Sequence, residues 1–416
     1  MFILYDFIFL IFAIIYLPIY LFKGKLNHGF LNRFGFLSPG LGSDRPIWVH
    51  AVSVGEAILV RGLINELRLK YPGKRIIIST VTVTGNKIAK SIAIKNDLVV
   101  YLPLDFSFIV RKVIDKINPS VFIIAETEIW PNLISYLYKK KIPIITVNGR
   151  ISDSSLKGYS VIKFLIKPIL NKISLFCVQT QLDKERLLML GANGERIKVT
   201  GNMKFDIIDR EPKFKYSRET FGLSSDKKLL VLGSSHRGEE RIILDSYKEL
   251  LIEFPNLRLV IAPRHPERAK EVAGLVSLYG FTPVLISKPS LISQIKEAIA
   301  VFILDTVGEL KSFYAMADIV FVGGSLVRKG GQNILEPASL GKPVIFGPHM
   351  FNFREIVQLF LNKKAAIMVN DSEELKIKIK ELLVNPKIGI SLVEASRGVL
   401  SDNQGATERN IRLINV

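Results

Sequence analysis

Four acidic residues stand in three segments where a carboxylate could take a proton from a hydroxyl or grip a ribose. Glu56 closes the run His50-Ala-Val-Ser-Val-Gly-Glu56, just past an apolar stretch and beside Gly55. A carboxylate so placed suits general-base work on an acceptor hydroxyl. It equally suits a first-turn residue that complements a helix dipole. Glu126 and Glu128 belong to Ala125-Glu-Thr-Glu-Ile-Trp-Pro-Asn132. These two acids, two residues apart, are expected to split, one towards a ligand and the other away, or to be solvated acids at a capped helix start. Glu336 lies in Gly323–Pro348, where the apolar run Ile319-Val-Phe-Val322 breaks into glycine-rich backbone and then a segment of helical character. Free N–H groups in such a loop, with the positive end of a helix, make an anion site. Glu336 is placed to accept two ribose hydroxyls, so the expected ligand is a nucleotide or sugar nucleotide.

Three further polar loops each follow an apolar run: Gly233-Ser-Ser-His-Arg-Gly-Glu239, Pro263-Arg-His-Pro-Glu-Arg268 and Asp305-Thr-Val-Gly-Glu-Leu310. All should converge on one sheet edge. Arg264 can hold a phosphate bidentately. Ser234, Ser235 and the Gly308 and Gly324 backbones can supply neutral donors. No Asp-x-Asp occurs, nor a G-x-x-x-x-G-K-[ST] or G-x-G-x-x-G fingerprint, which argues against the usual sugar-nucleotide metal clamp, P-loop phosphoryl transfer and standard dinucleotide redox chemistry. The histidines at 28, 50, 236, 265 and 349 lack metal-ligand spacing. Leaving-group charge must then be met by Arg, Lys, backbone N–H groups and helix ends.

The elements that position these residues alternate. Ile47–Val52, Arg75–Ser79, Leu98–Tyr101, Ser120–Ala125 and Pro143–Val147 read as strands. Gly55–Leu69, Gly85–Lys95, Phe106–Ile117 and Trp130–Lys140 read as the helices between them. Such alternation predicts a parallel, doubly wound sheet. It pauses at the charged, Pro-containing stretch Asp206–Tyr216. It resumes with Lys228–Leu232, Arg258–Ala262, Thr282–Leu285, Val301–Leu304, Ile319–Val322 and Pro343–Phe346. Two Rossmann-like halves are expected, 23–208 and 209–416, the second ending in a helix over Asn403–Val416.

A chain of 416 residues, 48% apolar by composition, is too long for one ordinary core and too apolar for disorder. The lone Cys177 excludes a disulfide framework. A formal charge of +19 predicts an acidic partner. Phe2–Phe22 is nearly unbroken apolar sequence followed at once by Lys23, Lys25 and Arg33. Residues 1–22 therefore read as a membrane anchor, spanning or interfacial, with the remainder on the cytoplasmic side. Lys139–Lys172 carries eight Lys and Arg against the single Asp153, with Tyr159, Val161, Ile162, Phe164, Leu165 and Ile166 interleaved. It reads as a solvated helix face or as a patch for anionic headgroups. No nucleic-acid-binding module is present.

Taken in order, VSVGE, AETEIWPN, VNGRIS, TGNMKFD, PRHPER, DTVGEL and GGSLV…GGQNILEPA resemble the 3-deoxy-D-manno-octulosonic acid (Kdo) transferases of lipopolysaccharide synthesis. The resemblance covers nearly the whole chain. It implies an α/β GT-B architecture, two Rossmann-like domains facing a cleft behind an N-terminal membrane-anchor helix. It implies inverting transfer of Kdo from CMP-Kdo to a lipid A precursor without a metal or other cofactor, at the inner membrane. Carried over residue by residue, Glu56 resembles the general base and Glu126 a second acid in the acceptor cleft. Lys204, Arg264, His265, Gly308, Glu309, Asn333 and Glu336 resemble the CMP-Kdo site, together with Ser234 and Gly324. Gln332 stands where the family usually has His. The residues alone also admit another membrane-associated GT-B enzyme using a UDP-sugar, or a nucleotide-binding membrane protein with a degenerate site.

Overall fold

A computed structural model describes residues 5–7, 9–11, 14, 30–37, 44–207, 214–288 and 299–416. Most of the expected anchor, 1–22, lies outside them, as do 208–213 of the expected linker. No helix among the described residues is long and apolar enough to cross a membrane. Within the anchor segment, Asp6 is tied down. Its carboxylate accepts from Ser107 N at 3.0 Å and from Asn132 Nδ2 at 2.7 Å.

The chain forms two compact units, Met1–Ile207 with Asn403–Val416, and Ile208–Asp402. This corrects the expected second domain at its end. The C-terminal helix, Ala406–Leu413, belongs to the first unit, because Ala406, Ile411 and Ile414 are buried in that unit's core.

The first unit holds a seven-stranded sheet in the order β3-β2-β1-β4-β5-β6-β7. The strands are β1 (Ile47–His50), β2 (Ile76–Thr80), β3 (Leu98–Tyr101), β4 (Val121–Ala125), β5 (Ile144–Gly149), β6 (Leu175–Val178) and β7 (Ile197–Val199). Every pairing is parallel, with Ile47 beside Ile76 on one side and Val121 on the other. β1, β2, β4 and β5 are buried along their whole length. Their near-continuous apolar runs follow from helices covering both faces. On one face Trp48 meets Phe122 edge to face, ring centroids 4.7 Å apart. Fully burying a side chain of this kind contributes roughly 1.5–3 kcal/mol.

The second unit repeats the plan. Its sheet runs β10-β11-β9-β8-β12-β13-β14. The strands are β8 (Lys228–Ser235), β9 (Leu257–Pro263), β10 (Thr282–Leu285), β11 (Ala300–Ile303), β12 (Ile319–Val322), β13 (Val344–Phe346) and β14 (Ile367–Met368). All of its pairings are parallel too. In each sheet one strand sits where the winding reverses, β1 between β2 and β4, β8 between β9 and β12. Ligands of doubly wound sheets bind beyond the carboxyl ends at that point. The loops there carry Glu56 and Glu126 in the first unit, and Ser234–Gly238 and Gly323–Leu326 in the second.

Candidate functional site

In the first unit, Ser53 caps the Val54–Lys70 helix, its hydroxyl 3.4 Å from Glu56 N. Glu56 reaches back in turn. Its carboxylate accepts from Val52 N at 2.8 Å and from Ser53 Oγ at 2.9 Å. This reciprocal cap resembles the S-x-x-E box of helix starts, with the Val52 N–H bonded in place of the N-cap N–H. The helix-start reading of Glu56 is thus realised, and the carboxylate still lies at the sheet's carboxyl edge. Burial pushes its pKa above the ordinary carboxylate range. The Val52 and Ser53 donors oppose the rise, and nearby Glu126 adds to it.

Glu126 follows β4 with φ at 57°, a left-handed conformation uncommon for a non-glycine residue. Strand alternation therefore stops at Ala125. The expected division of Glu126 and Glu128 to opposite sides does not occur, and Glu128 also lies in the field of Glu56. Burial, then Glu56, then Glu126 push the Glu128 pKa up to about 7. Three half-buried carboxylates thus share one edge of the sheet. A proton held between them has an acceptor at hand, which suits removal of a hydroxyl proton. His50 stands behind this edge. It is fully buried, with Nδ1 2.9 Å from Ser79 Oγ, and burial lowers its pKa to about 4. It ties β1 to β2 as a neutral imidazole.

The Glu128 shift has a stability consequence. The folded chain binds this proton more tightly than the unfolded chain, whose carboxyl has the ordinary value of 4.5. The favourable contribution is complete below that value and is lost as pH rises through about 7. Glu128→Gln should therefore raise the melting temperature at alkaline pH, by roughly 2–6 °C. It should change little in acid. Equal shifts at both pH values would show that Glu128 is not proton-coupled to folding.

In the second unit the glycine loop forms the expected nest of N–H groups, but the protein fills it itself. Glu239, fully buried, accepts from Gly324 N (2.6 Å), Ser325 N (2.8 Å), Leu326 N (3.0 Å) and His236 N (2.9 Å). The expectation that Gly324 N–H meets a donor phosphate is corrected, since a carboxylate already occupies it. Gly323 is needed for the close approach of β8. A Cβ there would lie 2.6 Å from Ser234 O.

Arg264 is exposed at the end of β9 and makes no ion pair among the described residues. Next to it His265 is exposed, its ring 6.1 Å from that of His236. His236 Nε2 lies 3.4 Å from Gln332 Nε2. Burial lowers the His236 pKa, reinforced by His265, Lys329, Arg264 and Arg268. Asn333 Oδ1 accepts from Leu335 N at 3.1 Å, opening the short Leu335–Ser339 helix that carries Glu336. Burial raises the Glu336 pKa, while Lys311 and Arg264 pull it down. Ser234 adopts φ 57° at the end of β8, and Gly308 φ 88° in open space. The Glu309 carboxylate is held by the protein's own donors. Lys215, Thr306 and Tyr216 all donate to its carboxylate, and these donors overcome burial to hold its pKa low. Lys204 lies in the first unit, on the turn Met203–Asp206, where its N–H donates to Asn202 Oδ1 at 2.9 Å.

Residues 28–207 match the sequence family described as 3-deoxy-D-manno-octulosonic-acid transferase (kdotransferase). The 3-deoxy-D-manno-octulosonic acid transferase of Haemophilus influenzae is 36% identical over 388 residues, 92% of this chain and 90% of that protein. The chain belongs to the Kdo transferase family. A second Kdo transferase, from Chlamydophila psittaci, is 33% identical over 98% of this chain and 94% of its own. A solved UDP-GlcNAc 2-epimerase from Neisseria meningitidis superposes with a TM-score of 0.58 at 16% identity, covering 86% of this chain and 98% of its own. That likeness concerns the fold, which is GT-B-like with two parallel sheets. Within this Kdo transferase, sequence reasoning assigned no framework role to Glu239 or His236, although both lie in a loop it singled out. Glu239 had one legible signal, an acid opening a helix beside a glycine loop.

Proposed function

We propose that this chain transfers Kdo from CMP-Kdo to a phosphorylated lipid A precursor, without a metal and with inversion. The observation that carries the reading is the Glu56 carboxylate. It is fixed by Val52 N–H and Ser53 hydroxyl beside two further acids, at the switch point of the first sheet. Glu56 takes the proton of the attacking acceptor hydroxyl. The hydroxyl oxygen bonds to the anomeric carbon of Kdo, and the bond from that carbon to the CMP phosphate oxygen breaks. CMP leaves with the electron pair. Arg264 meets the phosphate charge, Glu336 takes the ribose hydroxyls, and Lys204 adds a cation for the anionic donor.

The acceptor is a membrane lipid, and the N-terminal anchor and the basic stretch serve its capture at the cytoplasmic face of the inner membrane. On the helices Asp153–Val161 and Lys163–Leu170, Val161 is 80% and Phe164 75% exposed among exposed lysines. Exposed apolar side chains ringed by cations suit an anionic lipid surface. The experiment is mass spectrometry of products from purified protein, with CMP-Kdo or UDP-sugars and a lipid A precursor in anionic or neutral vesicles. A mass gain of one or more Kdo units from CMP-Kdo alone, faster on anionic vesicles, is expected. Transfer from a UDP-sugar, or no transfer at all, would overturn the assignment. Equal rates on both vesicles would remove the membrane reading and leave the chemistry standing.

A further inference from the structure

The C-terminal helix Ala406–Leu413 is held at both ends by functional parts of the first unit. At its start, Asp206 accepts from Gly405 N at 2.7 Å and from Thr407 N at 2.6 Å. Asp206 thus caps a helix about two hundred residues downstream, satisfying two of its otherwise unpaired N–H groups. Asp206 is also the last residue of the Met203–Asp206 turn, two positions after Lys204. The helix grips the approach to that turn as well. Arg409 Nε donates to Thr200 O at 2.7 Å, and the fully buried Asn410 donates from Nδ2 to Thr200 Oγ1 at 3.2 Å. Gly201, at φ 91°, passes so close that a Cβ would lie 2.8 Å from the Arg409 guanidinium.

At the other end the same helix is fastened to the helix that carries Glu56. Lys70 Nζ donates to Ile411 O at 2.8 Å and Ile414 O at 2.7 Å, and Tyr71 hydroxyl to Ile414 O at 2.8 Å. The turn is also tied through Met203 N, which donates to Asn148 Oδ1 at 2.9 Å. Met203 and Phe205 are buried beneath it, so the turn has little freedom while the clamp holds.

We propose that Asp206 is a positioning residue, which through the C-terminal helix fixes the Lys204 turn relative to the Glu56 helix. The clamp sets where the Lys204 cation is presented. The proposal rests on the reading that Lys204 serves CMP-Kdo. A cation displaced by about 1 Å can lose on the order of a hundredfold in catalytic efficiency.

The test is a double-mutant cycle on the full-length chain, using Asp206→Asn, Lys204→Ala and the pair. Asparagine keeps the shape and one acceptor oxygen, but turns an amide donor towards the other N–H. Asp206→Asn should raise KM for CMP-Kdo on the order of tenfold, with KM for the lipid acceptor unchanged. In the Lys204→Ala background it should add nothing, because residues acting as a unit are not additive. Arg409→Met, which removes the bond to Thr200 O and leaves Asp206 intact, should behave alike and covers the case in which Asp206→Asn fails to fold. Losses that multiply in the double variant, with Lys204→Ala itself impaired, would overturn the positioning role alone. Normal CMP-Kdo kinetics in Lys204→Ala would overturn the donor reading of Lys204 and the positioning proposal with it.

Discussion

Glu56→Gln is expected to lower kcat by on the order of 10²–10⁴-fold, the usual contribution of a positioned general base. The substitution is informative because the fold should survive it. Glutamine is accepted at the third position of a capping box. Its amide oxygen can still take the Val52 N–H, so melting temperature should be almost unchanged. What the amide cannot do is receive a proton. The loss should therefore appear in kcat, with KM for CMP-Kdo near its original value, since no donor contact has gone. The pH profile adds an independent check. Burial and Glu126 hold Glu56 above the ordinary carboxylate range, so the base is protonated in acid and activity should rise with pH through its ionisation. The Glu56→Gln residual rate should lack that limb. A folded variant with near-normal turnover would remove Glu56 from its assigned role.

How far the site was legible in the sequence depended on the range of the interaction involved. The strands at Ile47–His50 and Val121–Ala125 were readable because a parallel sheet buried on both faces needs continuous apolar runs. β7 and β14 did not stand out, being only three and two residues long. Glu56 was placed correctly at a strand end because Ser53 and Gly55 are local signals. The split expected of Glu126 and Glu128 fails on strand geometry itself, because residues two apart on an extended chain share a face, and β4 in any case ends at Ala125. Two donors to Glu309, from Lys215 and Tyr216, were not legible because they come from more than ninety residues away. The C-terminal helix was assigned to the wrong unit for the same reason, since its cap, Asp206, is 199 residues from Gly405. In each case the local chemistry was visible and its partner was not.

The glycine loop shows the same limit at its sharpest, and Glu239 gives the second large effect. Glu239→Ala should destabilise the second unit by about 4 kcal/mol or more, a substantial part of the roughly 5–15 kcal/mol that holds a domain together. The cause is not a lost contact in the ordinary sense. Four N–H groups, of His236, Gly324, Ser325 and Leu326, point at one fully buried carboxylate. Each donor left unpaired in the interior costs about 1–3 kcal/mol, with water admitted to the new cavity returning part of it. Glu239→Gln should not be the mild change it appears to be. One oxygen can still serve two donors, but the other becomes an NH2 group facing two N–H groups, so its cost should approach that of alanine. Thermal melting of the full chain, read together with CMP binding, separates this account from the one suggested by a glycine loop alone. If the nest were the phosphate site, removing Glu239 would vacate it, and CMP would bind as well as before or more tightly. If Glu239 is the built-in anion, both variants should lose CMP affinity together with the fold. Under the proposed reading the phosphate is then met by Arg264, while the Glu239 clamp ties the Gly324–Leu326 loop after β12 to the His236 turn after β8.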